Sequence, residues 1–206
     1  MDVTSRVEAF MELVSRDGGV ALLAQESVVR WLLGDLSFLP KARTALELKE
    51  LEDEWGRGVM RHRRPDLKLE KQWTNKFGEH ICEELYTLMG KTVTKPARKC
   101  NYQPDTETND AIVEVKTQTY YTSGTAGEKI LGSPFKYAEI PELYEKPLLI
   151  LCVGGAERMC RDSYGNLPGS KCTSEKMRFL DFFRKNRIEF VGASDVMSKL
   201  VALRSS

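Results

Sequence analysis

The apolar residues of this chain change period at Gly90, and that change restricts the fold more than any other feature. Before it, Phe77, Ile81, Leu85 and Leu88 recur at three- and four-residue steps, one stripe of an amphipathic helix. Thr74 stands where an N-cap belongs, and Gly90 is suited to the left-handed residue that closes a helix. After it the period falls to two. Thr92–Arg98 and Tyr102–Thr108 read as strands, and Ala111–Tyr121 reads as a stronger one, with Val113, Val115 and Thr117 alternating. Pro147–Val153 is an almost unbroken apolar run, the pattern of a strand covered on both faces. Thr173 caps a helix through Arg187, Ile188–Val191 is a short strand, and Ser194–Leu203 is a last helix. A chain of this order is α/β, with a mixed central sheet and helices around it.

The first 56 residues carry helical periodicity instead. Val3, Val7, Phe10, Met11 and Val14 form one stripe until Gly18 and Gly19 interrupt it; a second helix covers Val20 to Leu33, and a third runs from about Ala42 to Trp55. Residues 57–73 are charged, contain Pro65 and keep neither period, so they read as a basic connector between this helical region (1–56) and the main body (74–206). Phe10, Leu13, Trp31, Leu32, Leu36 and Phe38 exceed what a short extension needs in order to cover a core, and surplus apolar surface marks an interface, the alternative being that these helices pack on the core of their own chain.

Of the 206 residues, 41% are hydrophobic and 30% charged, which suits a packed core with a solvated surface and excludes a disordered or fibrous chain. No apolar run approaches the ~20 residues of a membrane span, and charges interleave the first 17 residues, so a cytoplasmic protein without a leader is expected. The five cysteines are odd in number and scattered, which fits buried thiols better than a disulfide framework. Formal net charge is only +1, yet Arg57 to Lys99 holds eleven basic residues against five acidic ones. That segregation makes nucleic acid a candidate partner.

Asn109-Asp110 sits between the second and third strands, and such a pair favours a two-residue hairpin turn. With that turn, Thr108 faces Ala111, Thr106 faces Val113 and Asp105 faces Glu114. Two carboxylates then oppose each other ~5 Å apart, and Lys116, two residues beyond Glu114, leaves the strand on the same side. Paired carboxylates on one face repel unless a cation stands between them, and dense oxygen donors suit Mg²⁺. The neighbouring ammonium can orient a water or stabilise charge on a phosphate.

Pro104-Asp105 followed by Glu114-Val115-Lys116 resembles the motif of the PD-(D/E)xK nucleases. The predicted helix and meander, then helix and further strands, are similar to the αβββαβ core of that superfamily, the restriction-endonuclease-like fold, over about Thr74–Val191. The segment Thr117–Gly132 is also similar to stretches of type II restriction endonucleases. The resemblance implies Mg²⁺-dependent hydrolysis of phosphodiester bonds in double-stranded DNA, with Asp105, Glu114 and Lys116 catalytic and with metal held by Asp105, Glu114 and a helix glutamate. Glu79 occupies the family's helix position, ten or eleven residues before a glycine, and Glu84 competes with it. Cutting both strands implies a homodimer, expected to draw on residues 1–55, and a cognate methyltransferase would act separately. A repair or recombination nuclease on the same core is the alternative activity, and a non-catalytic DNA-binding or assembly protein is the alternative class.

The expected DNA contacts are Arg61, Arg63 and Arg64 in the connector, which also holds His62, and Gln118, Lys129 and Lys136 after the motif, with Arg161 and Asn166 available to read bases. Gly124–Lys129 lacks the spacing of a nucleotide-binding phosphate loop and reads as a flexible loop. His80 is expected on a helix surface, and Cys152, Cys160 and Cys172 lack zinc-site spacing.

Overall fold

The computed structural model describes residues 2–16, 19–66, 73–121 and 126–205. The expectations resting on Gly18, on the connector from 67 to 72 and on residues 123–125 of the glycine-rich loop lie outside these. Helices α1 (Val3–Arg16), α2 (Glu26–Leu32), α3 (Ala45–Arg63) and α4 (Trp73–Leu88) precede the strands. The sheet is built from β1 (Val93–Thr94), β2 (Thr106–Thr108), β3 (Ile112–Gln118), β4 (Leu148–Gly154) and β5 (Ile188–Gly192). Three short helices, α5 (Ala126–Leu131), α6 (Ser133–Lys136) and α7 (Ile140–Leu143), connect β3 to β4. From β4 the chain passes through α8 (Gly155–Met159), a π-helical turn and α9 (Ser174–Lys185) to β5, and ends in α10 (Ala193–Ser205).

The sheet order follows the chain, β1 to β5. β1, β2 and β3 are antiparallel, whereas β3, β4 and β5 run parallel, so the fold is α/β with a mixed five-stranded sheet. Period two decides which layer each side chain meets. Val113, Leu151 and Val153 join one core with α1, α2, α3, α4 and α10, while Ile112, Ile150, Cys152, Ile188 and Phe190 join a second core under α5 to α9. Glu114 and Lys116 are in step with the second set.

Several expectations hold in detail. Thr106 pairs with Val113 and Glu107 with Ile112, the predicted register. The Thr173 side chain caps α9, and Gly90 (φ 74°) closes α4 while Lys91 N–H reaches the Tyr86 carbonyl.

Others are corrected. α2 begins at Glu26 rather than Val20, because the amides of Ala21, Leu22 and Leu23 are taken by the Glu84 carboxylate. α3 continues to Arg63, so residues 57–63 are helix and not connector. Buried Glu52, Gly56, Val59 and Met60 carry its inner stripe onward, and Gly56 permits contact with Trp73, whose ring would lie 2.3 Å from an added Cβ. α4 starts at Trp73, which places Thr74 in its first turn instead of at its cap. β1 and β2 are shorter than the strands expected, since Pro96 and Pro104 donate no ladder hydrogen bond. His80 is buried, its Nδ1 between Arg64 Nη1 (2.6 Å) and Glu83 Oε2 (2.7 Å).

The amino-terminal apolar residues singled out above pack on the core of the same chain. Phe10, Leu13, Trp31 and Leu32 are buried in the same core as Phe77, Ile81 and Leu85, and Leu36 and Phe38 pack against it. All three tryptophans meet there: Trp31, Trp55 and Trp73 lie 6.0 to 6.1 Å apart by ring centroids, around Phe77. Such contacts add specific geometry to a large apolar burial. Among the described residues no helix is long and apolar enough to cross a membrane.

Candidate active site

At the ends of β2 and β3 a cleft of about 600 Å³ is lined by residues from distant parts of the chain. Asp105, Glu114, Lys116 and Gln118 come from the hairpin; Thr74, Asn75 and Glu79 from α4; Lys49 and Asp53 from α3; and Lys129 from α5.

Asp105 lies just before β2, and instead of opposing Glu114 in a regular ladder pair it uses its side chain on the strand. Its Oδ2 accepts the Val115 N–H at 2.8 Å. Burial, and next the charge of Glu114, push the Asp105 carboxyl up to about 6, against the pull of that N–H bond. Glu114 is buried, and its Oε1 accepts from Lys116 Nζ at 2.6 Å and from the Tyr137 hydroxyl at 2.8 Å. Burial and the same carboxylate push the Tyr137 hydroxyl well above its usual range, so at neutral pH it remains a donor.

The two competing helix glutamates are separated by the structure. Glu79 lines the cleft, ion-paired with Lys76 at 2.6 Å. Glu84 faces the opposite way, into the turn before α2. Among the described residues, no group of three or more His, Cys, Asp or Glu side chains is gathered closely enough to hold a metal ion. Asp105, Glu114 and Glu79 therefore share one cleft without forming the compact ligand set expected. Ammonium groups on Glu79 and Glu114 meet part of the charge that repels the carboxylates from one another.

Of the expected DNA contacts, Gln118 and Lys129 line the cleft. Lys136 instead turns its ammonium onto Tyr137, 2.9 Å from the hydroxyl. Arg61, His62 and Arg63 are exposed on the last turn of α3, but Arg64 is engaged with Asp66 and His80. Arg161 is held by Glu157, Asp195 and the Pro168 carbonyl, and Asn166 is buried, so neither is presented for reading bases. Cys82, Cys152 and Cys160 are buried, Cys100 is exposed and Cys172 half-buried. Contact with Cys160 and burial hold the Cys152 thiol well above its usual range.

Several contributors had no signal in the sequence. Lys49 and Asn75 reach the cleft only because α3 and α4 pack side by side. Glu52 is fully buried and accepts Trp31 Nε1–H and the Tyr120 N–H, tying the end of β3 to α3. A glutamate in a charged helix does not announce that role. Comparison with protein-family models, with curated proteins and with solved structures returns no match to this chain.

Proposed function

We propose that the protein is a Mg²⁺-dependent DNA endonuclease with a restriction-endonuclease-like core over residues 74–206 and the amino-terminal helices packed against it. The observation that carries the proposal is the convergence of Asp105, Glu114 and Lys116 on one cleft, with Glu79 in its wall.

By chemistry, though not yet by spacing, the donors suit a hard divalent cation: carboxylate oxygens, with Asp105 pushed up by burial and by the charge of Glu114, an unfavourable pairing that such an ion would relieve. Asp105 and Glu114 would hold it, and Glu79 would serve a second ion. When bound, Mg²⁺ supplies polarisation of a phosphodiester and acidification of a water. The Val115 N–H fixes Asp105 Oδ2, and the Tyr137 hydroxyl fixes Glu114 Oε1. Lys116 leaves β3 on the side of Glu114 and offers its ammonium to the attacking water or to phosphate charge. Lys129 and Gln118 meet the DNA at the cleft, and Arg61 and Arg63 meet phosphates farther out.

Sequence-specific cleavage of both strands in the cytoplasm, as in a type II restriction enzyme, requires two clefts, so the proposal includes a two-fold dimer on double-stranded DNA. A cognate methyltransferase would be a separate protein. Digestion of a random-sequence plasmid library with Mg²⁺, followed by sequencing of the ends, tests this reading. Ends at one motif with a fixed stagger support it; ends at junctions or mismatches indicate a repair nuclease; no ends at all refute it. Asp105→Ala and Glu114→Ala should each lower cleavage by at least ~10³-fold with the fold retained.

A further inference from the structure

Glu114 is held from a second direction, by a residue outside the motif. Tyr137 follows α6, is 8% exposed, and donates its hydroxyl to Glu114 Oε1 at 2.8 Å. Lys136 Nζ donates to the Tyr137 oxygen at 2.9 Å and stands 4.6 Å from the ring centroid. Lys116 Nζ reaches the same Glu114 oxygen at 2.6 Å and lies 5.6 Å from the same ring. One chain of donors therefore runs from Lys136 through Tyr137 to Glu114, and Lys116 closes on its last atom.

The two holders of Glu114 differ in stiffness. The Tyr137 ring is packed in the core that contains Ile112, Ile130 and Ile140, with the Tyr102 ring 6.1 Å away. Its hydroxyl sits on a rigid arm with two torsions. Lys116 carries its charge on a flexible four-carbon stem. A carboxylate anchored by lysine alone would shift whenever the ammonium moved.

We infer that Tyr137 is a positioning residue for Glu114, fixing the carboxylate independently of Lys116 so that the ammonium is free to turn to water or phosphate. The inference rests on the nuclease reading of the cleft and adds to it a residue that touches neither substrate nor metal. Lys136 polarises the hydroxyl and strengthens its bond to Glu114.

Tyr137→Phe removes one oxygen and keeps the ring. Loss of a group that orients a ligand typically costs ~10–100-fold in metal affinity or activity. The expected result is a rise of about 10-fold or more in the Mg²⁺ concentration for half-maximal cleavage. Ca²⁺ binding, measured by calorimetry on the full chain, should weaken by a similar factor. Lys136→Met, at an exposed site, should move both cation responses in the same direction by at least about 2-fold. Unchanged cation responses in a folded Tyr137→Phe protein overturn the inference, as does a loss confined to the saturated rate. If Tyr137→Phe does not fold, Lys136→Met decides by the same criteria. A parent protein that neither cuts DNA with Mg²⁺ nor binds Ca²⁺ refutes the nuclease reading itself, and the inference falls with it.

Discussion

Glu84 and Leu23 are joined by a hydrogen bond of 2.8 Å from the Leu23 backbone N–H to Glu84 Oε2, sixty-one residues apart in the chain. Leu22 donates to both oxygens of the same carboxylate and Ala21 to one. Glu84 thus closes the turn before α2, whereas Glu79, five residues earlier on α4, faces the cleft.

Opposite outcomes are expected for the two glutamates. Glu84→Ala leaves up to three backbone donors without their acceptor and should destabilise the protein by about 2–4 kcal/mol in urea. Glu79→Ala should change stability by less than ~1 kcal/mol and reduce cleavage. A stability loss for Glu79→Ala as large as that for Glu84→Ala would show that both are structural.

Asp105 gives a pH dependence of defined sign. Its carboxyl is pushed up to about 6 in the fold, against an ordinary value of 3.8. The native state therefore holds this proton after the unfolded chain has released it, and the group destabilises the fold progressively as pH rises from about 4 to 6. Without divalent cations, Asp105→Asn should raise stability at pH 7.5 by about 1–3 kcal/mol and leave it nearly unchanged at pH 4. Thermal melts at the two pH values check this; equal effects at both would assign the change to packing.

Gly78 sets how closely α4 approaches β3. A Cβ there would lie 1.7 Å from Thr117 Oγ1 and 2.9 Å from Thr117 Cβ. Gly78→Ala should cost about 1–3 kcal/mol through overpacking, despite the better helix propensity of alanine. Thr117→Ala in the same protein removes the Oγ1 contact but keeps the Cβ at 2.9 Å, and should recover part of that loss. If the two effects simply add in a double-mutant cycle, the close approach is not the cause.

What was legible in the sequence was local. The turn at Asn109-Asp110 and the alternation around Val113 and Val115 determined the hairpin register, and with it the placement of Lys116 beside Glu114. Thr173 and Gly90 marked helix ends through chemistry within a few residues. The errors arose where a distant residue decided the outcome. Helix α3 extends past Gly56 because Trp73 packs on it, and α2 starts late because Glu84 captures the amides ahead of it. Tyr137 entered the site through the crossover between β3 and β4, whose fold back onto the sheet no short-range pattern encodes. The apolar residues of α1 and α2 looked surplus for the same reason, since the surface they cover belongs to α4, β4 and α10.

The basic end of α3 separates arginines that are available to DNA from one that is not. Arg61 and Arg63 are exposed, whereas Arg64 pairs with Asp66 at 3.0 Å and meets His80 at 2.6 Å. A phosphate would have to compete with those partners for Arg64. Neutralising a side chain that pairs with one phosphate should lower the slope of log affinity against log salt by ~0.9. Arg61→Gln and Arg63→Gln together should reduce the slope by nearly two units and weaken binding to all sequences alike. Arg64→Gln should leave the slope unchanged and lower thermal stability instead, since it removes one of the two partners of buried His80. Fluorescence anisotropy with a duplex across a salt series measures both slopes. A drop for Arg64→Gln equal to that of the others would mean that the guanidinium leaves His80 when DNA arrives, and an altered cleavage motif with unchanged slope would make Arg61 or Arg63 a reader of bases.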